Sequence, residues 1–124
     1  MAAPNIVNVA TITAKTAVVP LSTGNMTAIV SNAASSGKVF KINSVYAANV
    51  DGTNACDITL KLFSQDDIGG TGTALASTVG VPADATLIII GKDAPIYLEE
   101  DKSLGAQASA ANDIEIVCSY EEIS

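Results

Sequence analysis

Residues 38–63 read KVFKINSVYAANVDGTNACDITLKLF, and this stretch decides the fold class. From Cys56 to Leu62, apolar and polar residues alternate, which is the period-two pattern of a half-buried β-strand. Between the two halves, Asp51-Gly52 tolerates the positive φ of a tight turn. The stretch therefore predicts a β-hairpin that turns at residues 49–54. Its first arm is predicted to place Phe40, Ile42, Tyr46 and Ala48 on one face and Val39, Lys41, Asn43 and Val45 on the other.

Composition limits the kind of core that the chain can build. The chain has 124 residues, enough for one domain that buries a core without cross-links. Apolar residues make up 48% of it, aromatic residues only 4%, and there is no Trp. The core must then consist of Val, Ile, Leu and Ala packed between closely spaced layers, as in a thin sandwich of two sheets.

Short strand-like segments continue along the chain at intervals of roughly 8 to 12 residues, separated by turn residues. Besides the hairpin, the predicted strands are residues 9–19, 26–31, 74–81, 87–90, 95–98, 104–109 and 114–123. No segment has the period of an amphipathic helix. These eight or nine short strands predict an all-β, single-domain antiparallel β-sandwich, jelly-roll or immunoglobulin-like. One contiguous core is expected to contain Ile58, Leu60, Leu62, Ile114, Ile116 and Tyr120.

The chain divides into an N-terminal arm, residues 1–8, and a sandwich domain, residues 9–124. The arm is short and polar and contains Pro4, so either a partner orders it or it frays as termini commonly do. The first predicted strand ends at Pro20, and proline is tolerated on an edge strand because its missing N–H breaks no ladder there. We therefore expect that strand at a sheet edge.

The charge balance excludes some partners. Thirteen acidic residues against six basic ones give a net charge of −7 at pH 7. This charge repels the phosphates of nucleic acids and anionic membrane surfaces, so we expect no direct nucleic-acid binding. The longest aliphatic run, Leu87–Ile90, is far too short to span a bilayer, and the first residues lack the basic start of a secretion signal. We expect no membrane association.

The sequence offers little for catalysis. It contains no His, the residue that most often serves as the base beside a nucleophile. The acidic residues at 66–67 and 99–101 lack the spacing of a calcium loop, and we interpret them as solvated corner charges. Residues 69–72, Gly-Gly-Thr-Gly, lack the Lys-Ser/Thr and the helix of a phosphate-binding loop. We predict no catalytic residue, no cofactor and no metal site, and hence no enzyme.

The two cysteines, Cys56 and Cys118, fall at inward positions of predicted strands. Free buried thiols are the favoured interpretation, because unpaired cysteine packs as a small hydrophobic residue. A disulfide is the alternative, and it requires the two strands to be neighbours in space. A reactive thiol is disfavoured, because no His is present to lower its pKa.

Four stretches of the chain resemble a family of known proteins by their order and spacing. They are KINSVYAANVDGTNACDITL at 41–60, VPADATLIII at 81–90, APIYLEEDKSL at 94–104 and ASAANDIEIVCSYEEIS at 108–124. Together they resemble small virion structural proteins of tailed bacteriophages, notably of marine phages that infect cyanobacteria.

The resemblance implies a non-enzymatic particle component, in the first place a β-sandwich that decorates or cements the capsid head. The implied partners are the major capsid protein or another virion protein, together with further copies of the chain in a trimer or dimer. The implied location is the virion, at the head surface, after assembly in the host cytoplasm. Two alternatives stay open: a neck, tail or fibre component, and a carbohydrate-binding module on the particle surface.

The expected attachment surface combines two features. The arm is too short to fold alone, and residues 87–90 are apolar on both faces of their strand, which is more than a thin sandwich needs inside. The predicted interface residues are Ala2, Ala3, Pro4, Asn5, Ile6, Val7, Leu87, Ile88, Ile89 and Ile90.

Overall fold

A computed structural model describes residues 9–124, and the predicted arm at residues 1–8 lies outside the described residues. The described chain forms nine strands: β1 Ile12–Pro20, β2 Thr27–Asn32, β3 Val39–Asn49, β4 Cys56–Phe63, β5 Gly72–Val81, β6 Thr86–Ile90, β7 Ile96–Leu98, β8 Lys102–Ala108 and β9 Ile114–Ile123. Within residues 9–124, no helix has the length and hydropathy to cross a membrane. Each predicted strand corresponds to one of these elements.

The strands pair into two antiparallel sheets. The first sheet has the order β1-β9-β3-β6, with the short β7 also paired to β3, and the second has the order β2-β8-β4-β5. With β7 left aside, β1 pairs with β9, β2 with β8, β3 with β6 and β4 with β5, so the pairs are nested along the sequence. This nesting arises when one long antiparallel ribbon is rolled into two facing sheets, which is a jelly roll. The predicted β-sandwich is confirmed, and β1, with Pro20, lies at a sheet edge as expected.

The predicted hairpin is wrong in one respect. β3 lies in the first sheet and β4 in the second, so residues 50–55 cross from one sheet to the other. Alternation predicts that a strand has a buried face, but it does not say whether the next strand pairs beside it or packs on top of it. Here both strands turn their apolar faces to the same core. β4 forms its hairpin with β5 instead.

Side chains hold this crossover. Asn49 is buried, and its amide donates hydrogen bonds to the carbonyl oxygens of Asn54 and Val81 at 3.0 and 2.9 Å. The carboxylate of Asp51 accepts hydrogen bonds from the N–H groups of Thr53 and Asn54. Neither Asp51 nor Gly52 has a positive φ, so the turn is made by an aspartate bonded to its own backbone and not by left-handed residues.

The core lies between the two sheets. Four of the six predicted core residues are fully buried in one contiguous cluster: Ile58, Leu60, Ile114 and Ile116. The other two, Leu62 and Tyr120, are partly buried and pack against that cluster. The prediction of one core is therefore confirmed.

A bulge changes the face of β3 halfway along the strand. Ile42 pairs with Tyr120, but Ser44 pairs with the next residue of β9, so Asn43 is an extra residue in the ladder. Before the bulge Phe40 and Ile42 point to the core, and after it Val45 and Ala47 do. Uninterrupted alternation predicted Tyr46 on the same face of β3 as Ile42. That prediction is wrong, since the bulge shifts the alternation by one residue and turns Tyr46 outward.

The two thiols are free and buried. Cys56 belongs to the second sheet and Cys118 to the first, so they are not on paired strands. Burial raises the pKa of the Cys118 thiol to about 12. The favoured interpretation of the cysteines is confirmed, and the thiol of Cys118 has little thiolate character at neutral pH.

Candidate docking surface

An apolar row crosses the outer face of the first sheet. Val18 on β1 lies opposite Val117 on β9, which lies opposite Tyr46 on β3. Tyr46 in turn lies opposite Ile88 on β6. We call these residues, Val18, Val117, Tyr46 and Ile88, the apolar stripe.

The stripe is unusual because its members are exposed and adjacent. Val18, Tyr46 and Ile88 expose 66, 37 and 59% of their surface, and Val117 is partly buried. Side chains directly opposite each other on neighbouring strands lie about 5 Å apart at Cβ, so the four form one continuous patch. Single exposed apolar residues are ordinary, whereas a contiguous patch indicates an interaction surface.

The bulge at Asn43 creates this patch. Because the side chains of a strand alternate, the extra residue turns Tyr46 outward and lets Val45 take the inner position. A second irregularity lies in β6, where Ile88 and Ile90 pair with consecutive residues of β3. It leaves Ile88 outward beside Tyr46 while Ile90 points to the core.

A concavity of about 490 Å³ adjoins the stripe at Tyr46. Its lining is polar and consists of Lys41, Asn43, Ser44, Tyr46, Lys92 and Glu121. The amide of Asn43 donates a hydrogen bond to Oε2 of Glu121 at 3.3 Å, so the bulge residue holds that carboxylate. Lys41 and Glu121 are direct cross-strand partners, and they form a row of opposite charges parallel to the stripe.

The predicted interface residues fall in different environments. Ala2, Ala3, Pro4, Asn5, Ile6 and Val7 lie outside the described residues. Ile88 is exposed and belongs to the stripe. Leu87 and Ile89 are partly buried and pack against the core, and Ile90 is buried in it. Of residues 87–90, Ile88 alone presents a large apolar surface outward.

Sequence reasoning missed most of the stripe. Val117 stands at an outward position of β9, between Glu115 and Ser119. An apolar residue in a row of polar ones was the sequence feature that could have indicated an exposed apolar surface. Val18 carried no comparable signal, because the residues on either side of it, Ala17 and Val19, are apolar as well. The row becomes visible only when the register of four strands is known.

One carboxylate of the first sheet is tied to two ammonium groups. Glu122 accepts hydrogen bonds from Nζ of Lys15 at 2.9 Å and from Nζ of Lys38 at 3.1 Å. Burial acts to raise the pKa of Glu122, but these hydrogen bonds and the two positive charges outweigh it, so the pKa lies below its ordinary value. This contact joins β1 and β9 to the start of β3.

The described residues offer no obvious catalytic arrangement. In residues 9–124 no three His, Cys, Asp or Glu side chains lie where they could share a metal ion. A shallow concavity of about 280 Å³ on the second sheet is lined by Gly24, Asp57, Thr59, Thr78, Gln107, Ala108 and Ser109. The Oγ of Ser109 there accepts a hydrogen bond from the backbone N–H of Asp57, and no hydrogen bond between this hydroxyl and the Asp57 carboxylate is found within residues 9–124.

Comparisons with known proteins concern the fold. No protein-family model matches the sequence, and neither does any curated protein compared with it. A chain from the acidic stable capsid structure of Helicobacter pylori bacteriophage KHP30 is similar in fold: the TM-score is 0.51, the identity 10%, and the match covers 94% of this chain and 90% of that one. A pentameric capsid protein isolated from metagenomic phage sequences matches with a TM-score of 0.42 and 14% identity, over 89% of this chain and 60% of that one.

These identities relate the chains by fold alone, and the second match is too distant to support an argument. The first match extends over nearly the whole of both chains, so the similarity concerns the complete sandwich and not a shared fragment. The described chain is thus a single jelly roll with an exposed apolar stripe on its first sheet.

Proposed function

We propose that this chain is a non-enzymatic structural protein of a phage virion, which binds the head lattice as an oligomeric decoration or cement protein. The observation that carries the proposal is the match of the whole sandwich to a chain of a phage capsid structure. A fold by itself does not determine function, so the surface must agree with it. The resemblance of residues 41–124 to virion proteins of tailed phages points the same way.

The surface supports a binding role over a catalytic one. The stripe presents apolar side chains to solvent, whereas among the described residues no hydrogen bond joins the hydroxyl of Ser109 to a carboxylate in the concavity that it lines. A lattice offers many identical sites, so modest contacts per copy add up when the copies are linked. An acidic sandwich suits such a repeated part, because its net charge of −7 keeps free copies soluble.

Attachment in this proposal uses residues 1–8 together with one sheet face. The arm has no charged side chain and contains Ile6 and Val7, so a neighbouring protein can bind it as an extended segment. Ordering such a segment costs conformational entropy, which its contacts must exceed. On the sheet, Ile88 is the predicted interface residue with the most exposed side chain.

Particles that lack the protein test the proposal. We expect them to keep their shape but to lose DNA at a lower temperature or in a milder osmotic shock, and adding the purified chain should restore resistance. Removing residues 1–8 should leave a folded domain that no longer binds particles. Full resistance without the chain would rule out a cement role, and full binding by the truncated chain would rule out the arm.

Copy number separates the head and the tail tube from the neck and the fibres. A protein of the head or the tail tube is present in hundreds of copies, whereas a neck or fibre component is present in a dozen or fewer. Quantitative mass spectrometry of purified virions measures this copy number against that of the major capsid protein. A low ratio would assign the chain to the neck or a fibre.

A further inference from the structure

The surroundings of the apolar stripe differ in charge from the rest of the molecule. Acidic residues outnumber basic ones thirteen to six in the whole chain. Beside the stripe, however, Lys41 and Lys92 stand with Asp113, Glu115 and Glu121. A second copy of this chain, which carries the same net charge of −7, therefore meets both signs of charge at this face.

Chain length limits what the arm of the same chain can place on the stripe. The N–H of Ala10 donates to the carbonyl oxygen of Ser124, so the described chain begins beside the end of β9. From Ile123 to Val117 the strand covers six residues, about 20 Å at ~3.3 Å per residue. Ile6 precedes Ala10 by four residues, which span at most about 14 Å. Ile6 and Val7 therefore cannot reach the stripe of their own chain, whereas the stripe of a second copy can supply branched apolar side chains.

We propose that the outer face of the β1-β9-β3-β6 sheet is the interface between two copies of this chain. The two sheets face each other across a two-fold axis that runs parallel to the strands, between β9 and β3. This axis exchanges the ends of the stripe, so Val18 packs on the second copy's Ile88. In the middle, Val117 packs on the second copy's Tyr46. Sheets that pack face to face commonly keep their strands aligned within about 30°, as this axis requires.

Charge selects this axis. Lys41 on β3 and Glu121 on β9 lie in one row, and the axis exchanges those two strands. Each Lys41 therefore meets the second copy's Glu121, which gives two ion pairs of opposite charge per dimer. An axis along the stripe would instead bring Glu121 over the second copy's Asp113, four residues before Val117, and place two carboxylates together. Of the two attachment features named in the proposed function, the pairing gives the sheet face to contacts between copies and leaves residues 1–8 for the lattice.

Sedimentation of the purified chain tests the surface. We expect a dimer whose dissociation constant rises at least about tenfold in Val18→Asp and in Ile88→Asp, because each change buries a carboxylate against an apolar side chain of the second copy. Both positions are exposed in the single chain, so its folding should be unchanged. Leu75→Asp is the matched control, an exposed apolar position on β5 of the other sheet, and it should leave the dimer intact. A monomer at every concentration, or a dimer insensitive to both stripe variants, would overturn the proposal.

Cross-linking tests the axis. Within one chain Val18 and Ile88 are separated by three strand spacings, about 14 Å, which no disulfide can bridge. When Val18→Cys and Ile88→Cys chains are mixed and oxidised, we expect a covalent heterodimer. Each variant alone should stay unlinked, since the axis keeps equal positions apart. Linkage of Val18→Cys to itself would instead show an axis along the stripe and overturn the proposed pairing.

Charge reversal gives an independent readout. Lys41→Glu and Glu121→Lys should each weaken the dimer several-fold. The chain with both changes should recover most of the affinity, because residues 41 and 121 of the two copies again carry opposite charges. Failure of the double variant to recover would overturn the assigned ion pair. This inference deepens the oligomer named in the proposed function, and its experiments use the purified chain alone. A negative result in these experiments therefore does not bear on binding to particles. A negative result with particles likewise does not bear on the dimer.

Discussion

The ring of Phe63 occupies the space that a side chain on Gly105 would need. A Cβ placed on Gly105 would lie 2.9 Å from Cε2 of Phe63 and 2.8 Å from Cγ2 of Ile68. Ile68 belongs to the loop after β4, which folds back over the second sheet. Its N–H donates a hydrogen bond to Oγ of Ser103 at 2.8 Å. Phe63, Ile68 and Gly105 thus close a small apolar contact on the outer face of that sheet.

This contact predicts the effect of adding one methyl group. Gly105→Ala should destabilise the fold by about 1–3 kcal/mol, because the ring and the loop must both shift. Gly24→Ala is the matched control, since nothing lies within 4 Å of a Cβ there. Urea unfolding of both variants measures the difference. Equal stabilities of the two variants would contradict the packing of Phe63 on Gly105.

Truncation of Leu60 tests the core. Leu60 is fully buried between the sheets, so Leu60→Ala should lower the free energy of unfolding by roughly 2–5 kcal/mol through lost contacts and the cavity left behind. Leu75→Ala serves as the comparison, because that leucine lies exposed on β5. An unchanged melting temperature for Leu60→Ala would be incompatible with this core.

Asn49 should contribute more than its exposed neighbour in the crossover between the sheets. Asn49→Ala removes the donor to the buried carbonyl of Val81, and an unsatisfied buried acceptor costs about 1–3 kcal/mol. Asn54→Ala changes an exposed amide of the same loop and should cost little. Chemical unfolding compares the two variants. A smaller loss for Asn49→Ala than for Asn54→Ala would contradict the role of Asn49.

The ion pairs of Glu122 predict a pH dependence. Because the folded pKa of Glu122 lies below its ordinary value, its contribution to stability is present above the pKa of the unfolded chain, about 4.3 for glutamate. The contribution is lost as the pH falls through the lower folded value. The melting temperature of Glu122→Gln should therefore lie below that of the unmodified chain at pH 7. The difference between the two melting temperatures should become smaller in acid.

Glu99→Gln is the control for that experiment. Glu99 is exposed, and no ion pair of it is found within residues 9–124. Its substitution should change the melting temperature little at pH 7. A difference in melting temperature between Glu122→Gln and the unmodified chain that stayed constant from neutral to acidic pH would contradict a stabilising role for the charge of Glu122.

The thiols should be hidden until the chain unfolds. Cys56 and Cys118 are buried and free, and burial raises the pKa of Cys118 to about 12, so a thiol reagent at pH 8 should react slowly with the native chain. In denaturant without reductant it should find two thiols per chain. Leu75→Cys provides an exposed thiol away from the apolar stripe as the positive control. Two fast-reacting thiols in the native chain would contradict the burial.

The sequence predicted individual strands better than their arrangement. Alternation is a local signal, so the inward faces of β4 and β9 were predicted correctly from Cys56 to Leu62 and from Ile114 to Tyr120. The partner of a strand is not local, and the same pattern in residues 38–63 fits either a hairpin or a crossover between sheets. Turn composition did not resolve this, because Asp51-Gly52 suits both.

The apolar stripe was beyond prediction for a related reason. Its four residues come from four strands that are distant in sequence, and only the register brings them into one row. Two irregularities also had to be known, since unbroken alternation puts Tyr46 on the wrong face of β3. Ile88 was predicted as an interface residue on hydrophobicity alone, and the same argument included Ile90, which is buried.

The extra residue at Asn43 makes the chain unequally tolerant of length changes and substitutions. Removing that one residue would restore a regular ladder in which Ile42 still points inward, Ser44 outward and Val45 inward. A one-residue change elsewhere in β3 would instead turn the side chains beyond it to the opposite face. Many side chains fit at position 43 itself, since its own side chain points to an open concavity. Among related chains that keep the apolar stripe, the length of β3 should therefore vary at residue 43 and stay constant elsewhere.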